Sequence, residues 1–494
     1  MAFLSLAGGQ AKENQRNNPN VIVILADDLG FGDVSLYGSK TLQTPCIDAL
    51  AKSGIRFHQG FATSATSTPS RYALLTGMYP WREEVNILPG DAPLIITETQ
   101  PTLPKLFRQA GYSTGAVGKW HLGLGNGNIN WNETIKPSPN EIGFDYSYIM
   151  GATNDRVPCV YVENGKVDNL DPNDPISVSY KSNFEGEPTG EKNPELLKMH
   201  PSHGHNMSIV NGISRIGFMK GGKSALWKDE TMASVFLDKV KSFIAANKER
   251  PFFLYYGLNQ PHVPRAPHSD FVGKSGMGPR GDAVLEANWC IGQLNAYLQS
   301  IGLADNTIII FSSDNGPVLD DGYQDQAQEL ADEHNHKPAG PYRGGKYSLF
   351  EGGTHVPFII SWPKEIAAGK RSDALVCQMD LLASFASLLG EELPEDLDSE
   401  NHMNAFLGKS KKGRTTLVTE ATGRLALKEG DYLMIPPHNG PAINPSTKTE
   451  LGNDEEYQLY NTRKDPSEQH NLALKKGKLM EKMKHSFTQH AAKK

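Results

Sequence analysis

The segment 21-VIVILADD-28 decides the fold. Five apolar residues, four of them β-branched, run without interruption into two carboxylates. An unbroken apolar run of this length reads as a strand buried on both faces. The pattern recurs. STGAV (113–117) runs into Gly-Lys-Trp-His, and FFLYY (252–256) into Gly-Leu-Asn-Gln-Pro-His. IIIF (308–311) runs into Ser-Ser-Asp-Asn-Gly. Helical stripes lie between these runs: Leu103, Leu106, Phe107 and Ala110, then Val235, Phe236, Val240, Phe243 and Ile244. A third comprises Leu381, Leu382, Phe385, Leu388 and Leu389, with Asp380 as cap and Gly390 as stop. Strands alternating with helices predict an α/β protein with a large, mostly parallel sheet flanked by helices. In such sheets ligands bind at the carboxyl ends of the strands, where these polar clusters fall.

The chain has 494 residues, 38% hydrophobic and 21% charged, which fits a globular protein. Its net charge of −7 provides no global basic field, so nucleic acid is excluded as a partner. No apolar run reaches membrane-span length. Cys46, Cys159, Cys290 and Cys377 are scattered without a Cys-x-x-Cys pair, so buried free thiols are expected rather than a zinc site or a disulfide framework, with one disulfide as the alternative in an exported protein. Residues 1–19, starting MAFLSLAGGQA, read as a leader or the remnant of a truncated signal peptide, with a disordered tail as the alternative. A signal remnant implies a periplasmic or secreted protein. Residues 20–395 are expected to form the catalytic domain. Residues 396–494 are expected to form a smaller α+β unit, with TTLVTEA and YLMIPP as antiparallel strands and LALKKGKLMEKMKHSF as a closing helix. Residues 160–230 lack periodicity and read as a long insertion.

Asp27-Asp28 and Asp314-Asn315 each follow a strand. Four oxygen-bearing side chains converging there suit a hard cation, calcium before magnesium. Lys119 and His121 stand two apart after another strand, a spacing that shares a face in extended chain. His262 lies in a Pro-x-x-Pro frame, and Lys346 in a glycine-rich loop before Phe358–Ser361. These groups can hold an anion and move a proton. In 66-TSTPSRYALLTG-77, Thr68 is the expected helix cap and Pro69 the first helical position. That places Ser67 at a helix N-terminus, favourable to negative charge, with Arg71 one turn on. Nothing in the stretch supplies a base for a serine nucleophile.

Taken together, Ser67-Thr68-Pro69-Ser70-Arg71 with Leu75-Thr76-Gly77, Asp27-Asp28, Gly118-Lys119-Trp120-His121, Pro261-His262, Asp314-Asn315-Gly316 and Lys346 with Glu351-Gly352-Gly353 resemble the type I, formylglycine-dependent sulfatases. The tail Leu459-Tyr460-Asn461, Asp465-Pro466, Asn471-Leu472 resembles theirs too, so the likeness runs from about residue 20 to 475. It implies an alkaline-phosphatase-like fold and a sulfuric ester hydrolase. Ser67 would be oxidised by a maturase to formylglycine, whose hydrate attacks sulfur. Asp27, Asp28, Asp314, Asn315 and residue 67 would hold one calcium ion. Arg71 would steady the nucleophile, and Lys119 and Lys346 would neutralise sulfate oxygens. His121 would be the base that collapses the hemiacetal and His262 the acid for the leaving alcohol, with the two roles exchangeable. Many members carry Cys where this chain has Ser67, and Arg is common where it has His355. The expected substrate is a sulfated oligosaccharide or glycan. Asn154, Arg156, His203, His205 and Trp227 are the substrate-contact candidates in and around the insertion. The alternatives are an arylsulfatase, a phosphate or phosphonate ester hydrolase on the same fold, and a non-catalytic binder of sulfated glycans whose Ser67 is never matured.

Overall fold

The computed structural model describes residues 18–492, so nearly all of the expected leader lies outside the described residues. The 21–28 segment forms β1 (Asn20–Ala26), every residue of it buried. It is the middle of a ten-stranded sheet. The other strands are β2 (Ile55–Phe61), β3 (Ser113–Lys119), β4 (Tyr146–Met150), β5 (Tyr161–Glu163), β6 (Lys166–Val167), β7 (Phe252–Gly257), β8 (Thr307–Ser313), β9 (Phe358–Ser361) and β10 (Lys370–Cys377). Their order is β10-β2-β9-β8-β1-β7-β3-β4-β5-β6.

The sheet is mixed. Five of its nine pairings are parallel, including the unbroken run β8-β1-β7-β3-β4. The four antiparallel ones flank that run. The loop after β8 explains β9. It carries Lys346 to the carboxyl edge of the sheet, where Lys346 meets Asp28, so the chain re-enters from that edge and runs backwards.

The helical stripes form Leu103–Gln109, Met232–Asn247 and Leu381–Leu389, and Gly390 in the left-handed conformation ends the last. The helix of the serine motif spans Ser67–Thr76 and starts two residues earlier than its sequence suggests. Thr66, extended at φ −146°, is the N-cap. Thr68 is inside the helix, its hydroxyl donating to the His121 carbonyl (3.0 Å) and accepting from the Leu88 N–H (3.4 Å). Gly77, left-handed at φ 68°, ends the helix as expected.

Four antiparallel strands, β11 (Thr416–Ala421), β12 (Arg424–Glu429), β13 (Tyr432–Ile435) and β14 (Gln458–Asn461), form the second sheet, followed by helix Gly477–Ala492. Leu417, Val418, Leu427, Met434 and Met483 share one apolar cluster with Phe61, Ala73 and Tyr79. The small sheet thus packs directly on the serine-motif helix. Its first strand also grips the segment that enters the helix: Ala65 N–H donates to the Glu420 carbonyl (2.8 Å), and Glu420 N–H to the Thr63 carbonyl (3.0 Å). The 160–230 insertion is ordered by two short ribbons, Ser177–Ser179 with Phe218–Lys220 and Ile209–Val210 with Ile213–Ser214.

Candidate active site

The carboxyl edges of β1, β3, β7 and β8 deliver the polar clusters to one place. Asp28 sits just past β1 at φ 63°, and this left-handed turn aims its N–H at Asp314 Oδ1 (3.2 Å). Asp27, Asp28 and Asp314 are fully buried. Lys119 Nζ lies 2.7 Å from both Asp27 oxygens. Lys346 Nζ bridges Asp28 Oδ2 (2.9 Å) and Asp321 Oδ2 (2.8 Å). Arg71 donates through Nε and Nη2 to Asp314 Oδ2 (3.2 and 2.9 Å), through Nε to Ser67 Oγ (2.9 Å), and through Nη1 to Tyr255 Oη (2.9 Å).

Three buried carboxylates thus face three buried cations. Burial raises Asp28, but Lys346, then Lys119 and Asn315, draw it below the ordinary carboxylate range. Asp314 is likewise raised by burial and brought down by Arg71 and Lys119. Asp27 stays well above that range, because burial outweighs the pull of Lys119 and its neighbours Asp314 and Asp28 add to the rise. Burial lowers Lys119 in turn, with Asp27 only partly offsetting it.

The donor set fits a hard cation. Oxygens of Asp27 and Asp28 and a ring nitrogen of His262 lie within 4.8 Å of one another. Asn315 Nδ2 donates to Asp28 Oδ1 (2.7 Å), while its buried Oδ1 has no partner. A buried carbonyl oxygen without a donor is a cost that a cation removes.

Both histidines face the same space. His121, at φ 56°, bonds the Leu88 carbonyl through Nε2 (2.9 Å), which leaves the buried Nδ1 unpartnered. His262 donates through Nδ1 to the Val263 carbonyl (2.6 Å) and turns Nε2 toward Asp28 (3.9 Å). Burial, then Lys119, pushes both well below the ordinary imidazole value, so both rings are neutral near pH 7.

The sulfatase family profile matches residues 19–391. The chain belongs to the sulfatase family. It is 54% identical over 469 residues to the N-acetylgalactosamine-6-O-sulfatase of Bacteroides thetaiotaomicron, covering 94% of this chain and 91% of that protein. A solved sulfatase from work on the metabolism of multiple glycosaminoglycans by Bacteroides thetaiotaomicron superposes with TM-score 0.94 at 52% identity, covering 96% of this chain and 99% of its own. Ps i-CgsB in complex with k-i-k-neocarrahexaose superposes with TM-score 0.70 at 26% identity, covering 96% and 93%. The sulfatase is a sulfuric ester hydrolase.

A cavity of about 80 Å³ opens onto Ser67, His121, His262 and Lys346, and Arg156 and His205 also line it. The other substrate-contact candidates lie elsewhere. Asn154 is buried behind the cavity, its amide donating to the His262 and Pro264 carbonyls (3.4 and 3.2 Å). His203 is part-exposed beside Asp320 (3.7 Å). Trp227 is buried and packs in the core of the sulfatase against Tyr161, away from the cavity. Sequence reasoning passed over three polar cavity residues, Asp155, Asp321 and Tyr347. Asp155 accepts from His205 Nε2 (3.0 Å) and Arg156 Nη1 (3.3 Å). Asp321 resembles a turn residue, in Asp320-Asp321-Gly322, and Tyr347 is hidden among glycines. Only their adjacency to Lys346, in sequence or space, marks them.

All four cysteines are free thiols. No helix among the described residues is long and apolar enough to cross a membrane.

Proposed function

We propose that this sulfatase removes the 6-O-sulfate of N-acetylgalactosamine-type sugars in sulfated glycans, with residue 67 matured from serine to formylglycine and one calcium ion held by Asp27, Asp28, Asp314 and Asn315. The observation that carries the chemistry is the meeting of Ser67, Arg71, Lys119 and Lys346 with three buried aspartates beside one small cavity. The sugar class rests on the 54% identity to an N-acetylgalactosamine-6-O-sulfatase.

Matured residue 67 would supply a hydrated aldehyde as nucleophile, which answers the missing base in the serine motif. Bound calcium would polarise a sulfate oxygen and favour ionisation at residue 67. The chain's own groups do the rest. Arg71 Nε, 2.9 Å from the residue 67 oxygen, stabilises negative charge there. The Lys119 and Lys346 ammonium groups balance charge on the sulfate oxygens. His121 Nδ1, neutral and unpartnered, accepts a proton. His262 Nε2 serves the leaving alcohol. It must first be protonated, and a sulfate anion between Lys119 and Lys346 offsets the positive field that holds its affinity down. A periplasmic or secreted location belongs to the same proposal, since a glycan polymer does not cross a membrane unaided.

Two measurements test the proposal. Mass spectrometry of the peptide containing residue 67, from a host with a maturase, should show loss of two hydrogens. Sulfate release should be faster from N-acetylgalactosamine 6-sulfate than from the 4-sulfate or a matched 6-phosphate. An active protein with intact Ser67, or equal rates on all three esters, refutes it.

A further inference from the structure

Tyr347 has a backbone that aromatic residues seldom adopt, at φ 73°. Such a conformation persists only where its surroundings over-determine it, and it points to a role for the side chain. Three parts of the molecule hold this residue. Its N–H donates to the Ala65 carbonyl (3.0 Å), in the segment that enters the Ser67 helix. Its carbonyl accepts from Arg424 Nη2 (2.8 Å), at the turn of the small sheet. Its hydroxyl donates to Asp321 Oδ1 (3.0 Å). The ring itself is only half-buried and belongs to none of the apolar clusters among the described residues. Packing therefore does not account for the strain, and the side chain lines the cavity beside Ser67.

The hydrogen-bond inventory specifies what the phenol presents. Asp321 already accepts from Lys346 Nζ (2.8 Å), so its carboxylate is acceptor-only toward the phenol. The single phenolic proton is thereby committed to Asp321. Burial raises the phenol's pKa, with Asp321 adding to the rise, so that proton stays on. What remains for the cavity is the oxygen's lone pairs, which call for a donor.

We infer that Tyr347 is a specificity-determining residue, accepting a hydrogen bond from a hydroxyl or acetamide N–H of the sugar that carries the sulfate. Asp321 is the positioning residue that orients the phenol and Lys346 together. The inference rests on the sugar-sulfate reading above.

The test is binding, measured calorimetrically in calcium-containing buffer with protein expressed without a maturase, so that no turnover intervenes. The probes are N-acetylgalactosamine 6-sulfate and methyl sulfate, which lacks sugar hydroxyls. Tyr347→Phe should weaken the sugar sulfate about 5- to 10-fold more than methyl sulfate, the span of one net hydrogen bond. A loss of folded protein lowers the binding stoichiometry for both probes alike and leaves that ratio intact. Asp321→Asn should lower the same ratio, because an amide can return the phenolic proton to the cavity. An Asp321→Asn ratio equal to wild type removes Asp321 from the positioning role. A wild type that binds both probes equally overturns the sugar-sulfate reading itself. A wild type that prefers the sugar, with Tyr347→Phe keeping that preference, overturns the role of Tyr347 alone.

Discussion

Arg71 Nε donates to Ser67 Oγ across 2.9 Å while its Nη2 lies 2.9 Å from Asp314 Oδ2, so one guanidinium ties the nucleophile position to the acidic cluster. Arg71→Lys keeps the charge but loses the planar fork that makes both contacts. It should lower kcat by about 10²–10³-fold, the scale seen when one oxyanion donor is removed. Arg71→Ala should also destabilise the fold by about 3–5 kcal/mol, because Asp314 would lose its nearest partner in a buried site. Steady-state kinetics and denaturant melts check the two effects separately. An Arg71→Lys enzyme within a few-fold of wild type would remove Arg71 from the chemistry.

The orphaned Asn315 Oδ1 and the three buried aspartates predict a metal-dependent fold as well as a metal-dependent rate. Chelation should abolish activity and lower the melting temperature, and calcium should restore both. Saturation at a hundredfold over Kd stabilises by about 2.7 kcal/mol if the unfolded chain does not bind. Asn315→Leu, which removes the orphaned oxygen, should reduce the calcium-dependent part of the shift. Thermal melts across a calcium titration measure this. A melting temperature indifferent to chelator would argue that Lys119, Lys346 and Arg71 alone neutralise the cluster.

The two histidines can be told apart by leaving group. His262→Ala should slow a sugar sulfate about 10²–10⁴-fold, the usual size of general acid catalysis, yet slow 4-nitrophenyl sulfate far less, because nitrophenolate leaves without a proton. His121→Ala should slow both substrates alike, since its task lies at residue 67. The reverse pattern would exchange the two roles.

The fold was legible where apolar runs ended in charged pairs. Val21–Leu25 and Ile308–Phe311 locate both the central strands and the aspartates beyond them, because a doubly buried strand must shed its polar residues at its ends. The reversal of β9 was not legible, since it depends on where the long segment 314–357 lies rather than on any local pattern. The start of the Ser67 helix was displaced from the sequence expectation, since the Thr68 hydroxyl is engaged with His121, 53 positions away, and with the Leu88 N–H, contacts that no local pattern shows. Trp227 misled because a large aromatic fits a sugar and a core equally well by type. Asp321 and Tyr347 stayed hidden because their roles arise only from contact with Lys346 and with each other.

Glu351 and Glu468 join the two sheets through opposite ionisation. Glu351 pairs with Lys428 Nζ of the small sheet (2.8 Å), and its N–H donates to Glu468 Oε2 (3.1 Å). Burial would raise Glu351, but Lys428 and then His355 lower it from 4.5 to about 2. Glu468 is raised well above 4.5 by burial and then by Glu351. The signs differ accordingly. Glu351 contributes stability that is present above about 4.5 and lost as pH falls toward 2. Glu468 contributes stability that is complete below 4.5 and lost as pH rises through its folded value. Glu468→Gln keeps the carbonyl acceptor and removes the titration. It should therefore leave stability near pH 4 almost unchanged and raise it at pH 8. Lys428→Met should do the opposite kind of damage, leaving Glu351 as an uncompensated buried charge at a cost of about 3–5 kcal/mol at neutral pH, shrinking as Glu351 takes up a proton in acid. Denaturant melts of the three proteins from pH 4 to pH 8 decide it, and a Glu468→Gln curve parallel to wild type would show that folding does not shift the titration of Glu468.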